Sequence, residues 1–259
     1  MNFGISDKRV LVVGTGKGIG GAVARAFAAE GCRVSMVARN PDTLKQLLEE
    51  MGGLEKGHRF LTADLLEAGA PTRVVKEFSS ADGPFDIVVH NVGGAITLKD
   101  PLGPVEDWMR VWRFNVGIAI EMNALLVPPM RKQGWGRVIH ISSISAELGE
   151  PRLHPYGGAL SYAAAKAYLN VYVRGLGREV AKENVIVTAL MPGPILSEGK
   201  YVDKLRKTNP ELMNNFLRQH CPIGRFGMPE EIAPFAVFMA SEQASYASGS
   251  IVPIDGGRI

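Results

Sequence analysis

Tyr162 and Lys166 are the residues of this chain best suited to moving a proton. They belong to Ser161-Tyr162-Ala163-Ala164-Ala165-Lys166. On a helix, positions i and i+4 share one face, so both side chains point the same way. A phenol titrates near pH ~10, and an adjacent ammonium draws that value toward neutrality by favouring the phenolate. Such a pair suits protonation of the alkoxide formed when hydride reaches a carbonyl carbon, and the reverse reaction on an alcohol. A serine hydroxyl beside the same oxygen would hold it in place. Ser143 stands at the end of an apolar run closing in Ile141-Ser142-Ser143. The Tyr-x-x-x-Lys spacing alone is also that of an ordinary amphipathic helix pair.

A second chemical feature lies near the start. Arg9-Val10-Leu11-Val12-Val13 runs into Gly14-Thr15-Gly16-Lys17-Gly18-Ile19-Gly20, which opens a helical stretch. Glycines allow a tight turn and close backbone approach to a pyrophosphate, and the helix N-terminus offers free N–H groups. The next strand ends in Val37-Ala38-Arg39-Asn40, with no acid before Asp42. An acid there would repel a ribose 2′-phosphate, whereas Arg39 suits one and Lys17 adds charge. NADP(H) is therefore expected over NAD(H), although both cations also fit a solvated surface.

The elements that must position these groups alternate. Strands are expected at 9–13, 33–37, 59–62, 86–89, 136–142, 185–190 and 250–254. Helices are expected near 18–30, 41–51, 68–79, 104–132, 160–182 and 229–240. Nearly continuous apolar strands suit a parallel sheet covered on both faces. This predicts an α/β fold: a doubly wound Rossmann-type parallel sheet of about seven strands flanked by helices, in one dinucleotide-binding and catalytic domain over 1–259. The stretch 193–225 interrupts the rhythm where a strand ends, and is expected to be a substrate lid within that domain.

Composition limits the classes. Of 259 residues, 46% are hydrophobic and the net charge is +3, with no polybasic run, so neither nucleic acid nor membrane is an expected partner. Two cysteines and five histidines without ligand spacing give no disulfide framework and no metal site. No signal peptide and no apolar run of the ~20 residues a membrane span needs are visible, which predicts a cytoplasmic protein.

The order and spacing of these motifs resemble those of the short-chain dehydrogenase/reductases, in their single-domain branch. The resemblance covers nearly the whole chain. It is carried by Gly14-x-x-x-Gly18-Ile19-Gly20, Asp64-Leu65, Asn91-Val92-Gly93, Asn115-Val116, Ile141-Ser142-Ser143, Tyr162-Ala-Ala-Ala-Lys166, Pro192-Gly193 and Asp255-Gly256-Gly257. It implies an NADP(H)-dependent oxidoreductase acting on a small carbonyl or alcohol, with keto-acyl reductases the commonest analogy. Tyr162 is then the acid/base and Ser143 orients the carbonyl. Lys166 lowers the Tyr162 pKa and holds the nicotinamide ribose, and Asn115, on a helix, helps hold a relay water. Asp64 with Leu65 would lie beside the adenine, and Asn91 with Gly93 beside the ribose. Pro192, Gly193, Ile195 and Ser197 would contact the nicotinamide side. The family's usual assembly implies a homo-oligomer, dimer or tetramer, built on 104–132 and 160–182.

Three departures stand out. Val13 replaces the usual Thr and His90 the usual first Asn of its motif, which bears on stability more than on chemistry. The stretch before Tyr162 is longer than usual. It supplies Glu147, Arg152, His154 and Tyr156, as substrate contacts or as plain loop residues. Tyr156 has Leu160 where a lysine partner would stand, so Tyr162 remains the choice. Two other readings stay open: an epimerase or dehydratase, and an NADP(H)-binding redox-sensing module without turnover.

Overall fold

The seven strands are rich in β-branched and aliphatic residues, and four of them are buried along their whole length. In the computed structural model, which describes residues 2–94, 100, 102–148, 159–199 and 201–259, they form one parallel sheet. The strands are β1 (Arg9–Val13), β2 (Arg33–Ala38), β3 (Arg59–Thr62), β4 (Ile87–His90), β5 (Gly136–Ile141), β6 (Val185–Pro192) and β7 (Ile251–Ile254). Their order is β3-β2-β1-β4-β5-β6-β7. The order reverses between β1 and β4, and a crevice opens there at the carboxyl ends of the strands.

Helices cover both faces: α1 (Ile19–Ala29), α2 (Pro41–Glu50), α3 (Ala70–Asp82), α4 (Val105–Trp112), α5 (Ile118–Gln133), α6 (Ser145–Leu148), α7 (Ala159–Val180), α8 (Tyr201–Thr208), α9 (Pro210–His220) and α10 (Pro229–Ala240). One apolar core gathers Val10, Val12, Phe27, Ile139 and Val237 on one face; the other gathers Leu11, Val13, Val88, Met122 and Val187. The alternation of β1 residues between the two cores is the period-two pattern of a strand buried on both sides.

One sequence expectation differs from the structure. The helix expected over 104–132 is not continuous: Arg113–Gly117 form a π-helical turn between α4 and α5. The stretch 193–225 contains α8 and α9, packed on a small apolar core of Met213, Phe216, Cys221 and Phe226.

His90 is structural, as expected. Paired in register with His140 of β5, it stacks on that ring at 4.8 Å between centroids. Its Nε2–H donates to Asn123 Oδ1 at 2.8 Å, and Asn123 Nδ2–H donates to the Tyr172 hydroxyl at 3.1 Å. Burial depresses His90 to about 4 and His140 well below the usual imidazole range. Both are therefore neutral in the fold. Below pH ~6.5 the unfolded chain takes up protons that the folded chain refuses, so stability falls with pH until the folded values are reached. Between pH 7.5 and 5, His90 alone should remove about 2 kcal/mol. His90→Asn is expected to flatten the acid limb of a Tm-versus-pH series; an unchanged limb would assign the acid sensitivity elsewhere.

Candidate active site

The glycine turn leaves β1 at the point where the strand order reverses. Gly18, the residue before α1, has φ of 99°, a left-handed value that an L side chain resists. A Cβ on Gly20 would lie 2.4 Å from the Gly14 carbonyl oxygen, so only glycine lets the turn close on itself. Asn91 Nδ2–H donates to that carbonyl at 2.8 Å, and Thr15 Oγ1–H donates to Val12 O at 2.6 Å. These bonds hold the turn even though Val13 stands where a threonine is usual. The first turn of α1 has no acidic residue and Gly18 supplies no capping side chain, leaving its N–H groups for an anion.

A cleft of about 600 Å³ runs from this turn across the end of β2. Gly14, Gly16, Lys17, Ile19, Arg39, Asn40, Asp64, Leu65, Asn91, Gly93 and Ser197 are among the residues that line it. Gly18 adjoins it, since a Cβ there would meet Ser197 Oγ at 2.7 Å. The Arg39 side chain is 72% exposed, and its ion pair to Asp64, at 3.9 Å, is loose. Asn40 is partly committed elsewhere: its Oδ1 caps α2 by accepting from Asp42 N and Thr43 N. Thr43, Phe114 and Glu198 also line the cleft. Sequence reasoning missed them because no motif marks them. A dinucleotide with a 2′-phosphate fits this set: a wide cleft, an uncapped helix end, two cations and no acid at the end of β2.

Gly193 and Ile195 do not line this cleft. With Pro194 they border a separate cavity of about 60 Å³, floored by Ile232 and Ile254, while Pro192 closes β6. Ile195 bridges to Gly227 and packs against the apolar core, which turns it away from the larger space.

The inner end of the cleft is bounded by Gly93, where a Cβ would lie 2.7 Å from Asn115 Oδ1 and 3.1 Å from Lys166 Nζ. Lys166 is 3% exposed, and its ammonium donates to the Ile141 carbonyl at 2.8 Å. Its Nζ is 5.7 Å from the centroid of the Tyr162 ring. Tyr162 is half-buried and shares a side-chain hydrogen bond with Ser143. The Ser143 hydroxyl also lies 3.2 Å from that of Ser145. Thus α7 presents both members of the Tyr-x-x-x-Lys pair toward the end of β5, where Ser143 follows.

The electrostatics differ from the sequence expectation. Burial raises the Tyr162 phenol, and the Ser143 hydrogen bond only partly offsets it, so its net direction is upward. Burial also pushes Lys166 down to about 7. Desolvation disfavours whichever form is charged, so it moves an acid and a base in opposite directions. Lys166 is only partly charged at neutral pH, and Ser143 is the partner that pulls Tyr162 downward.

Asn115 lies within the π-helical turn. Its Nδ2 donates to Val111 O at 3.0 Å and Gly94 O at 3.1 Å, while its Oδ1 accepts from Gly94 N at 2.9 Å. The side chain clamps the turn at Gly94. π-Helical turns occur often at functional sites because they displace one residue from the regular helix face. Of the loop candidates before Tyr162, Glu147 is exposed at the end of α6. Arg152, His154 and Tyr156 lie outside the described residues. In the 193–225 stretch, Phe216 is buried and the partly buried Leu205 packs beside it in that segment's own core.

The sheet, the glycine turn and the Ser–Tyr–Lys grouping define a dinucleotide-fold oxidoreductase. The family model described as enoyl-(acyl carrier protein) reductase matches residues 13–258. The chain is 32% identical over 261 residues to 3-oxoacyl-[acyl-carrier-protein] reductase FabG of Chlamydia muridarum (strain MoPn / Nigg), covering 99% of each. It is 30% identical to 7alpha-hydroxysteroid dehydrogenase of Escherichia coli (strain K12), covering 100% of this chain and 96% of the relative. The solved structure of L-sorbose reductase from Gluconobacter frateurii, complexed with NADPH and L-sorbose, has a TM-score of 0.88 at 34% identity, covering 100% of this chain and 99% of that one. The chain belongs to the short-chain dehydrogenase/reductase family.

Proposed function

We propose that this chain interconverts a carbonyl compound and a secondary alcohol with NADP(H), and that Tyr162 is the acid/base. The observation that carries the reading is the placement of Tyr162, hydrogen-bonded to Ser143, one turn from Lys166 at the inner end of the cleft. The nicotinamide, when bound, supplies or accepts hydride. The chain's own residues handle the proton. Tyr162 Oη gives its proton to the oxygen of the reduced carbonyl, and Ser143 Oγ–H holds that oxygen beside it. Lys166 donates to Ile141 O and, when protonated, steadies the phenolate left behind. Asn115 keeps Gly93 and Gly94 close to Lys166.

NADP(H) is favoured by the exposed Arg39, by Lys17 and by the missing acid after β2; the related L-sorbose reductase was solved with NADPH. A charge-assisted bond to a 2′-phosphate is worth about 1.5–3 kcal/mol, or about tenfold or more in affinity. Arg39→Ala is expected to raise the KM for NADPH by about that factor and leave that for NADH within about twofold. Steady-state kinetics with both cofactors checks this; equal effects would remove Arg39 from the phosphate.

The 193–225 stretch is read as a lid over the substrate side. Ser197 sits against the glycine turn, and Asp203 braces the segment internally by accepting from Gly199 N at 3.0 Å and Lys207 Nζ at 2.8 Å. A homo-oligomer through α4, α5 and α7 fits the apolar side chains left exposed there, including Met109, Tyr168 and Val171. The relatives act, by name, on an acyl carrier substrate, a steroid and a sugar, so the frame leaves substrate identity open. A panel of ketoacyl, steroid and keto-sugar carbonyls, followed by NADPH absorbance, tests the reading. Tight NADPH binding with no oxidation across the panel would overturn it in favour of a redox-sensing module.

A further inference from the structure

We propose that Asn170 is a positioning residue for this reaction: one buried amide joins the three segments that carry the candidate site. The inference rests on the oxidoreductase reading above. Asn170 lies two turns beyond Tyr162 and one beyond Lys166 on α7, and it is 2% exposed. Its Oδ1 accepts the Ser142 hydroxyl proton at 2.6 Å, and its Nδ2–H donates to the Met191 sulfur at 3.2 Å. Ser142 immediately precedes Ser143, and Met191 immediately precedes Pro192-Gly193. Ser142 and Met191 are themselves buried, at 3% and 4% exposure.

The surrounding bonds show what the amide completes. Lys166 Nζ holds Ile141 O, so α7 grips two successive residues at the end of β5. Ser142 N donates to Leu190 O at 2.7 Å and Ile144 N to Pro192 O at 3.2 Å, which sets β5 against β6. Those backbone bonds fix the sheet, but none of them fixes the distance from the sheet to α7. That distance decides whether Ser143 and Tyr162 meet. A displacement well under 1 Å at a reacting group is enough to lower a rate substantially. Asn170 is not among the residues that line the cleft, so its effect passes through Ser143 and Tyr162.

Asn170→Leu keeps the branched shape and removes both hydrogen bonds. It is expected to lower kcat about tenfold while NADPH binding stays within about twofold of wild type. The alkaline limb of the kcat profile for reduction should move upward, because the Ser143 bond that draws the Tyr162 pKa down is loosened. The Ser142→Ala/Asn170→Leu double variant supplies the decisive comparison. Replacing both partners by apolar groups restores stability, since no buried polar atom is orphaned. A positioning role predicts that Tm recovers in the double variant and kcat does not. A merely structural role predicts that both recover together, and that result would overturn the proposal, as would a wild-type kcat and pH profile in Asn170→Leu. If Asn170→Leu fails to fold, Ser142→Ala alone must show the same kcat loss and pH shift. Wild type and Tyr162→Phe run beside these variants keep the two questions apart: turnover surviving in Tyr162→Phe refutes the acid assignment and leaves the Asn170 comparison readable.

Discussion

Tyr162→Phe is expected to lower kcat for carbonyl reduction by about 10³, within the range general acid catalysis commonly contributes, while NADPH still binds. The substitution removes a single oxygen. The ring keeps its place one turn before Lys166, and the cleft walls at Arg39, Asp64 and Asn91 lie on other elements. A loss confined to kcat therefore separates proton transfer from cofactor binding. Binding is checked by quenching of protein fluorescence on NADPH titration, and turnover by absorbance with whichever panel compound wild type reduces. Near-normal turnover would move the acid elsewhere. A loss of cofactor affinity comparable to the loss of rate would instead make Tyr162 chiefly a binding group.

Much of this site is legible in the sequence because its parts are local. Tyr162 and Lys166 share a helix face by spacing alone, and Gly14 to Gly20 join one strand to the next helix. The strand pattern is equally local: the strands expected at 9–13 and 59–62 coincide with β1 and β3, and the others differ by one or two residues at one or both ends. What the sequence hides depends on contacts between distant segments. The π-helical turn at Arg113–Gly117 has no composition signal, yet it determines that the Asn115 amide reaches Gly94. The Ser142–Asn170–Met191 set spans β5, α7 and β6, and no short motif contains it. The outward or inward facing of Phe216 also follows from a core that forms only when α8 and α9 fold over Phe226.

The pKa of Lys166 is the point where proximity reasoning gave an incomplete answer. Spacing places a cation beside a phenol and predicts a lowered phenol. It does not say how much water surrounds them. At 3% exposure the ammonium loses most of its hydration, and the Ile141 carbonyl replaces part of it. The effect of burial on Lys166 is thus large, and the charge that assists Tyr162 is costly to keep in place.

That cost gives a second large effect, opposite in sign for activity and stability. Lys166→Met substitutes an apolar chain of similar length at a buried position. Activity should fall about 10²–10³-fold, since the phenolate loses its stabilising charge. Stability should rise. The folded pKa of about 7 lies below the ordinary value of 10.5, so between these limits the unfolded chain holds a proton that the folded chain does not. Wild-type stability therefore increases as pH rises through that window, and the full penalty is felt below pH 7. That penalty is on the order of 5 kcal/mol, and leaving Ile141 O without its donor gives back about 1–3 kcal/mol. A net gain of about 2–4 kcal/mol raises Tm by about 2–4 °C for each kcal/mol in a domain of this size. Thermal melts of both proteins from pH 6 to 10 check the sign: the advantage of the methionine variant should be largest at and below pH 7 and shrink toward pH 10. A methionine variant that melts lower than wild type at pH 7, by an amount independent of pH, would show that Lys166 is a stabilising tie to Ile141 and not a charge held against its hydration. An enzyme that gains stability when its lysine is removed, and loses turnover with it, would instead have kept that charge for its chemistry.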